Sequence, residues 1–492
     1  MEEKRIKDTW SILLLVCILL LGCTVRCWNI RQSFWWDEIW STMTYAKAHS
    51  LWQVVSSLGY YFNNHIFYSL VARGSIALLG ESEVTARLPA VIMGVLGVAG
   101  MFYFGRRFVG TSSGVIASLL LAVSAFHIDH SSEARGYSGL ALFAILSSWY
   151  FLEGIKTGAL KSWILYILFT VLGFYCHVFM CAVSLSQLVT FLLVIFIEKY
   201  SARRSGVTTR GYRPFLISLC VAGTLTLLLY APVLPAFVHN IGKVRLVSVN
   251  RMPFILSLLS SLYPGVHSML GGIVYGVLCV SGSYSLFTRN LTLLVYCVVL
   301  LMLPLSLYLI INPMFVFERY FIFTVPFALL VISKGMVELA ERLRGVYRNG
   351  VVVVLLSTLV YVQYPAIATM LNQDRQSYRE AVRYVEDEVN GRTGDLVFSI
   401  GYAGEHFRYY ASGITILTPE SLDELSALME DKERIWCLIT AWLSDIRPPY
   451  EDRALYSERP GQMEIYNYVK QHFVLTKAFS SKYPVAIYFL ER

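Results

Sequence analysis

The sequence predicts a polytopic α-helical membrane protein with about eleven spans and a small soluble α/β domain at its C-terminal end. The 492 residues are 56% hydrophobic and only 15% charged, with a mean hydropathy of +0.56. Soluble domains are usually roughly 45–50% apolar and about 25% charged. Apolar runs recur through residues 1–371, whereas residues 372–492 read as short strands alternating with amphipathic helices. We therefore expect a transmembrane domain followed by a separate soluble domain.

Eleven apolar runs predict the spans, because a spanning helix needs about 20 mostly apolar residues. They cover roughly 10–28, 88–105, 113–128, 138–154, 163–180, 181–197, 214–235, 270–288, 290–311, 320–338 and 350–371. The stretch 163–197 is too long for one crossing at about 1.5 Å per residue, so it predicts two helices joined by a turn near Cys176–Ser184.

The run at 65–80 is ambiguous, because it is short and has Arg73 in its middle. If it does not span and the N-terminus is inside, the basic loops all face the cytoplasm, as the positive-inside rule requires. These loops are 105–110, 153–161, 198–213 and 338–350. The run therefore predicts an interfacial helix within a first outer loop at 29–87. The N-terminus is then cytoplasmic and the C-terminal domain extracytoplasmic.

The outer segments contain the unusual polar residues of the apolar region. Asp37 and Glu38 follow the tryptophans of "SFWWDEIW" at the predicted membrane surface. A carboxylate in low-dielectric surroundings has a raised pKa and becomes a better base toward a hydroxyl. The alternative is a solvated pair of loop carboxylates.

Other outer residues suggest an anion site, although each alone has a structural alternative such as a snorkelling arginine. Arginine can grip phosphate with two hydrogen bonds, and cationic side chains can stabilise a departing phosphate. A head group such as a sugar on a polyprenyl phosphate would suit this pattern. The candidate substrate-binding residues, with Glu38, are His65, Arg87, Glu133, Arg135, Tyr137, His177, Arg319 and Tyr320.

Several stretches resemble the GT-C glycosyltransferases of the protein O-mannosyltransferase and lipid A aminoarabinose transferase type. They are "WWDEIW", "NNHIFYSLVARGSIALLGESEVTARLP", "SSEARGYSGLALF", "FYCHVF" and "ERYFIFTVPFALL". The resemblance implies an inverting transferase in which Asp37 is the catalytic base and Arg135 contacts the phosphate. Ile66 and Phe67 stand where the family often has prolines. No β-trefoil insertion is present, which favours a prokaryotic plasma membrane enzyme.

The same resemblance implies the partners. The donor would be a hexose or pentose on a polyprenyl phosphate, and the acceptor a hydroxyl on a protein, lipid or glycan, with membrane lipids around the chain and no nucleic acid. The nine cysteines form no CxxC motif or zinc-type cluster, so we predict no metal site. The family makes no metal obligatory, and a divalent cation stays open as a cofactor.

Two other classes of function compete with the enzyme. A transporter or flippase of lipid-linked sugars would have inverted repeats and broken helices near the bilayer midplane. The sequence has no clear repeat, and its polar residues fall on one predicted face. A non-catalytic scaffold that displays the C-terminal domain would have no pocket around Asp37.

Overall fold

The computed structural model divides the chain into two compact units. The first contains Met1–Ile30 and Tyr45–Leu371, and the second contains Arg31–Thr44 and Asn372–Arg492. The described residues are 2–57, 63–200, 212–243, 251–263, 266, 268–311, 316–392, 394–401, 403–440, 460–479, 481 and 485–492. Most of the predicted loop 198–213, and parts of 236–269 and 311–320, lie outside the described residues.

The region up to residue 372 is built from α-helices. In chain order they are α1 (Glu2–Cys27), α2 (Trp36–Ser41), α3 (Leu51–Ser56), α4 (Ile66–Leu79), α5 (Glu83–Phe108), α6 (Thr111–Ala122), α7 (Ala125–Ser131), α8 (Tyr137–Thr157), α9 (Leu160–Cys176), α10 (Met180–Tyr200), α11 (Tyr212–Tyr230), α12 (Leu234–Lys243), α13 (Arg251–Leu262), α14 (Met269–Arg289), α15 (Leu291–Ile311), α16 (Val325–Glu341) and α17 (Val346–Asn372). A π-helical turn covers Thr42–Ala46, and 3-10 turns cover Ala231–Val233 and Glu318–Thr324.

Each of the eleven predicted spans corresponds to a helix or a helix pair. In the described part of the chain, nine helical segments are long and apolar enough to cross a membrane. The third predicted span is the pair α6 and α7, which is bent by 61°, and the fifth is the 17-residue α9. The turn predicted within 163–197 lies between Cys176 and Met180. The predicted polytopic helical fold is confirmed.

The bend in the third span is stabilised by an arginine of α1. Helix α6 ends at Ala122, where its last carbonyl groups lose their intrahelical partners. Arg26 Nη1 donates to the carbonyl of Ala122 at 3.1 Å, and its Nε donates to Ser131 Oγ at 2.8 Å. The buried guanidinium therefore bonds to backbone groups that the bend exposes.

The ambiguous run at 65–80 forms α4, which is too short to cross a bilayer. Its 14 residues extend about 21 Å, whereas the hydrocarbon core is about 30 Å thick. Arg73, in the middle of the helix, donates to the carbonyl of Ala48. This bond accounts for a charged residue within an apolar run.

Helix ends that the charge pattern assigns to one side contact each other. Arg107 Nη2 lies 2.7 Å from Glu153 Oε1, which joins the ends of α5 and α8. Asn290 Nδ2 donates to the carbonyl of Phe108 at 3.2 Å, which joins the start of α15 to the same end. These helix ends therefore lie on the same side, as the predicted alternation of the spans requires. The cytoplasmic location of this side stays a prediction.

The second unit contains a four-stranded sheet and is the small α/β domain that the sequence predicts. Its elements are α18 (Tyr378–Val389), β1 (Leu396–Ser399), α19 (Ala403–Tyr410), α20 (Leu422–Met429), β2 (Arg434–Thr440), α21 (Pro460–His472), β3 (Val474–Phe479) and β4 (Val485–Glu491). The strand order is β1-β2-β4-β3, with β1 and β2 parallel and the other pairs antiparallel. Helix α2 belongs to this unit.

Candidate active site

Six of the predicted substrate-binding residues meet in the first unit, where helices end or turn. We call them the polar cluster: His65, Arg135, Tyr137, His177, Arg319 and Tyr320. His65 precedes α4, Arg135 lies before α8, and Tyr137 opens α8. His177 lies in the turn between α9 and α10, and the two residues 319 and 320 lie in the 3-10 turn before α16.

His65 is held between two groups that can only donate hydrogen bonds. Its Nδ1 accepts from the backbone N–H of Gly136 at 2.9 Å, and its Nε2 lies 3.0 Å from Arg135 Nη2. A neutral imidazole has one acceptor nitrogen and a protonated one has none. The surroundings therefore favour the neutral ring, and burial followed by the charge of Arg135 holds the pKa of His65 well below its usual range.

Arg135 is fixed by Asn63, which lies three residues before the start of α4. Its Nη1 donates to the carbonyl of Asn63 at 3.0 Å, and its Nη2 donates to Asn63 Oδ1. The guanidinium carbon lies 5.6 Å from the centre of the Tyr137 ring. Arg135 is only 2% exposed. Its charge is therefore placed in low-dielectric surroundings, where it acts strongly on a nearby anion.

A second guanidinium group converges on the same tyrosine. The guanidinium carbon of Arg319 lies 5.8 Å from the centre of the Tyr137 ring and 4.2 Å from that of Phe317. Tyr137 also lies near Tyr320, with ring centres 6.2 Å apart. The two cations thus approach one aromatic side chain from different segments of the chain, an arrangement within the reach of cation–π attraction.

His177 closes the cluster from the turn between α9 and α10. Its ring centre is 4.8 Å from that of His65 and 4.9 Å from that of Tyr320. Burial, followed by the charges of Arg135 and Arg319, lowers the pKa of His177 to about 3. At neutral pH the cluster therefore combines two arginine cations with two uncharged imidazoles, which suits an anionic group such as phosphate.

Glu133 and Arg87 have other contacts. Glu133 Oε1 lies 2.8 Å from His130 Nδ1, and the His130 ring packs on Tyr137 at 5.5 Å between centres. Arg87 is fully buried in α5 and donates through Nη1 to the carbonyl of Ile30 at 2.8 Å. It therefore does not snorkel to a surface. Both residues therefore have contacts within the protein. Their part in substrate binding stays a prediction.

The two acids of the tryptophan-rich stretch lie in the second unit, in the first turn of α2. Glu38 is fully buried, and its Oε2 accepts the backbone N–H of Trp35 at 3.2 Å. Asp37 is half-buried. The geometry therefore gives the adjacent acids different surroundings, with Glu38 closing the start of the helix.

Sequence reasoning missed three residues that the structure places around these groups. Asn63 holds Arg135, and a Cβ at Gly136 would come within 2.7 Å of His65 Nδ1. Arg26 supports the bend after α6. The available signals were an asparagine just before the candidate histidine, a glycine beside the candidate arginine, and a charge at the end of an apolar helix.

The described residues contain no group of three or more histidine, cysteine, aspartate or glutamate side chains that could hold a metal ion.

Comparison with known proteins gives one family match. Residues 64–235, less than half of the chain, match the family model described as dolichyl-phosphate-mannose-protein mannosyltransferase. The matched range includes four residues of the polar cluster but begins after Asp37 and ends before Arg319. No curated protein sequence matches the chain significantly.

Solved structures match over nearly the whole chain. ArnT from Cupriavidus metallidurans bound to undecaprenyl phosphate has a TM-score of 0.55 and 11% identity, with 98% of both chains covered. The archaeal oligosaccharyltransferase AglB from Archaeoglobus fulgidus, in complex with an inhibitory peptide and a dolichol-phosphate, has a TM-score of 0.53 and 10% identity. That match covers 88% of this chain and 69% of AglB. The chain has the GT-C fold. The predicted resemblance is confirmed, and the GT-C chain is an integral membrane protein.

Proposed function

We propose that this GT-C protein is an inverting glycosyltransferase at the outer face of a prokaryotic plasma membrane. It transfers a hexose or pentose from a polyprenyl-phosphate donor to an acceptor hydroxyl on a protein, lipid or glycan. The mannosyltransferase family match supports a lipid-linked donor. Two neighbours in fold, ArnT and AglB, were solved with undecaprenyl phosphate and dolichol-phosphate. The observation that carries the proposal is the approach of two guanidinium groups to the Tyr137 ring.

The arginines act on the leaving group. As the bond between the anomeric carbon and the phosphate oxygen breaks, negative charge grows on the polyprenyl phosphate. Arg135 and Arg319 stabilise this charge, since fixed cations in low-dielectric surroundings act strongly where charge develops. The imidazoles of His65 and His177 stay neutral, because burial and the arginines lower their pKa values. Neither ring therefore acts as an acid in the reaction. Phosphate is a good leaving group, so the reaction requires no general acid.

Asp37 acts on the acceptor. Its carboxylate takes the proton of the acceptor hydroxyl while that oxygen attacks the anomeric carbon from the side opposite the phosphate. One C–O bond forms as the other breaks, and the configuration at the carbon inverts. Asp37 is half-buried whereas Glu38 is fully buried, and this greater access to an acceptor supports Asp37 over Glu38 as the base.

A transporter is the competing class of function. Its substrate site would place charged side chains near the middle of the membrane. The polar cluster is contributed by turns and helix ends instead. This placement favours chemistry at one membrane boundary.

The test compares Asp37→Asn with Asp423→Asn. The second aspartate is exposed in the first turn of α20, so the same chemical change is made elsewhere in the same unit. Each variant replaces the protein in its own cells, and mass spectrometry measures the sugars on cell-envelope glycoproteins and glycolipids.

We expect the glycosylated product to be absent with Asp37→Asn and unchanged with Asp423→Asn, with both proteins folded by thermal unfolding. Product at wild-type levels in Asp37→Asn would refute Asp37 as the base. An envelope unchanged by deletion of the whole protein would overturn the transferase itself.

A further inference from the structure

The helix that carries Asp37 packs against α19 of the C-terminal domain. The ring of Trp36, the residue before Asp37, stacks on the ring of His406 with centres 4.1 Å apart and planes at 20°. His406 Nε2 also lies 3.2 Å from the backbone carbonyl oxygen of Trp36. Because a carbonyl only accepts, Nε2 carries the proton and donates it. One buried side chain thus contacts both the ring and the backbone of Trp36.

Other residues of the same domain hold the backbone before Asp37. Gln376 Oε1 accepts the N–H of Trp36 at 3.0 Å, so both backbone polar groups of Trp36 have partners in the C-terminal region. The hydroxyl of Tyr410 accepts the N–H of Phe34 at 2.7 Å. Phe34 and Trp36, alternate residues just before Asp37, therefore both have backbone hydrogen bonds to the C-terminal domain.

Arg379 extends this attachment toward the start of the segment. Its Nη2 donates to the carbonyl of Arg31 at 2.8 Å, and its backbone N–H donates to Ser33 Oγ at 3.3 Å. Contacts therefore run from residue 31 to the first turn of α2. They come from the loop before α18, from α18 itself and from α19.

His406 is itself fixed by its own domain. It is 1% exposed, and its ring lies 5.6 Å from that of Tyr378, with the planes at 24°. Trp36, His406 and Tyr378 thus form a continuous stack from α2 to α18. A helix of six residues has few hydrogen bonds of its own, so these outside contacts determine its orientation.

We propose that the C-terminal α/β domain holds the Asp37 segment in place and that His406 is its positioning residue. The effect on transfer rests on the proposed function, whereas the holding of the segment does not. His406 touches no reacting atom. It sets the direction of the backbone one residue before the base, and misplacement of a catalytic group by about 1 Å can cost roughly 100-fold in rate.

The test uses the full-length protein and three substitutions of one side chain. His406→Ala removes the ring and the donor, His406→Phe keeps a flat ring without the donor, and His406→Gln keeps a donor without the ring. Glu405→Gln, an exposed neighbour on α19, is the matched control. For each variant we would measure hydrogen–deuterium exchange of backbone amides 33–41, binding of undecaprenyl phosphate, and the cell-envelope product.

We expect His406→Ala to speed exchange at 33–41 at least about tenfold and to lower product formation about 10- to 100-fold. Binding of undecaprenyl phosphate should stay within about twofold of wild type, because the variant disturbs the base and leaves the polar cluster unchanged. His406→Phe and His406→Gln should each restore part of both losses. Glu405→Gln should match the wild type.

Two results would overturn the proposal, and they differ from failure of the proposed function. Unchanged exchange at 33–41 in all three variants would show that His406 does not hold the segment. Faster exchange with unchanged product would show that holding has no part in transfer. If the alanine variant does not fold, the phenylalanine and glutamine variants decide by the same criteria. Full activity of Asp37→Asn would instead refute the base, while the exchange result would still test the holding.

Discussion

At the scale of single residues, the polar cluster keeps its positive charge on the arginines alone. Burial and the neighbouring guanidinium groups depress the pKa of both His65 and His177. Arginine stays protonated at every physiological pH, so Arg135 and Arg319 provide a constant charge. An anion would therefore meet the same two cations throughout the physiological range.

The lowered pKa values of His65 and His177 predict that the protein loses stability in mild acid. Below the ordinary histidine pKa of about 6.5, these two histidines bind protons in the unfolded chain but not in the folded chain. The stability that the neutral rings contribute is thus complete above about pH 6.5 and falls as the pH drops toward the folded pKa of His177, which burial and the two arginines lower to about 3. Each such histidine accounts for up to about 1.4 kcal/mol per pH unit.

The measurement is the Tm of the purified protein between pH 7.5 and 4.5. We expect Tm to fall across this range and to fall less steeply in His177→Phe. His472→Phe changes an exposed histidine in the second unit and should keep the wild-type slope. Equal slopes for His177→Phe and the wild type would contradict a buried neutral His177.

Arg135 should dominate binding of the phosphate group. A hydrogen bond to a charged partner is worth about 1.5–3 kcal/mol, so Arg135→Ala should weaken binding of undecaprenyl phosphate by about tenfold to a hundredfold. Arg135→Lys should fall between, since lysine keeps the charge but lacks the planar fork. Arg107→Ala removes an arginine that pairs with Glu153 and should leave binding unchanged. An unaltered affinity in Arg135→Ala would place the phosphate elsewhere.

At the scale of elements, helices α14 and α16 cross at very close range. A Cβ built on Gly282 would come 2.0 Å from the carbonyl oxygen of Val331, and one on Gly335 would come 2.0 Å from that of Leu278. Small residues let helix backbones approach in this way inside a membrane. The apolar segment Glu318–Glu341, which joins the preceding 3-10 turn to α16, is also the most enclosed of the candidate spans in the described part of the chain, with 94% of its apolar stretch buried. The crossing therefore packs α14 closely against α16, the helix that follows the turn containing Arg319.

Gly282→Ala should destabilise the protein, because the added methyl group must push apart two backbones. Overpacking of this kind typically costs about 1–3 kcal/mol. Gly276→Ala is the matched control on the same helix, since a Cβ there meets nothing within 4 Å. Thermal unfolding in detergent should show a lower Tm for the first variant only. Equal Tm values would mean that the two helices separate at little cost.

The elements also mark the limit of sequence reasoning. Long apolar runs predicted each of the nine helical segments of spanning length in the described part of the chain, because each membrane helix satisfies its own backbone hydrogen bonds and so depends mainly on local sequence. The bend between α6 and α7 was not predicted. Val123 and Ser124 separate these helices, and neither is a proline or glycine. Its stabilisation comes from Arg26, about 100 positions earlier in the chain.

At the scale of the whole molecule, the charge pattern predicts which side each loop faces. Green fluorescent protein fused after Gly158 should fluoresce, because the predicted loop 153–161 is cytoplasmic. Alkaline phosphatase fused after Arg492 should be active, because the C-terminal domain is predicted to be extracytoplasmic. Exchanging the two reporters should abolish both signals. The opposite pattern would invert the predicted topology and remove the outer-face assignment of the polar cluster.

The sequence by itself determined the polytopic helical fold and the presence of a small C-terminal α/β domain, and it named all six members of the polar cluster. Hydropathy, charge and residue type are local properties, and the bilayer acts on each segment separately. Only the tertiary structure decided which cations meet at Tyr137, and that Glu133 pairs with His130 while Arg87 holds the carbonyl of Ile30. It also decided that the Asp37 segment belongs with the C-terminal domain. These arrangements depend on contacts between residues far apart in the chain, and no local pattern records which of the available partners are chosen.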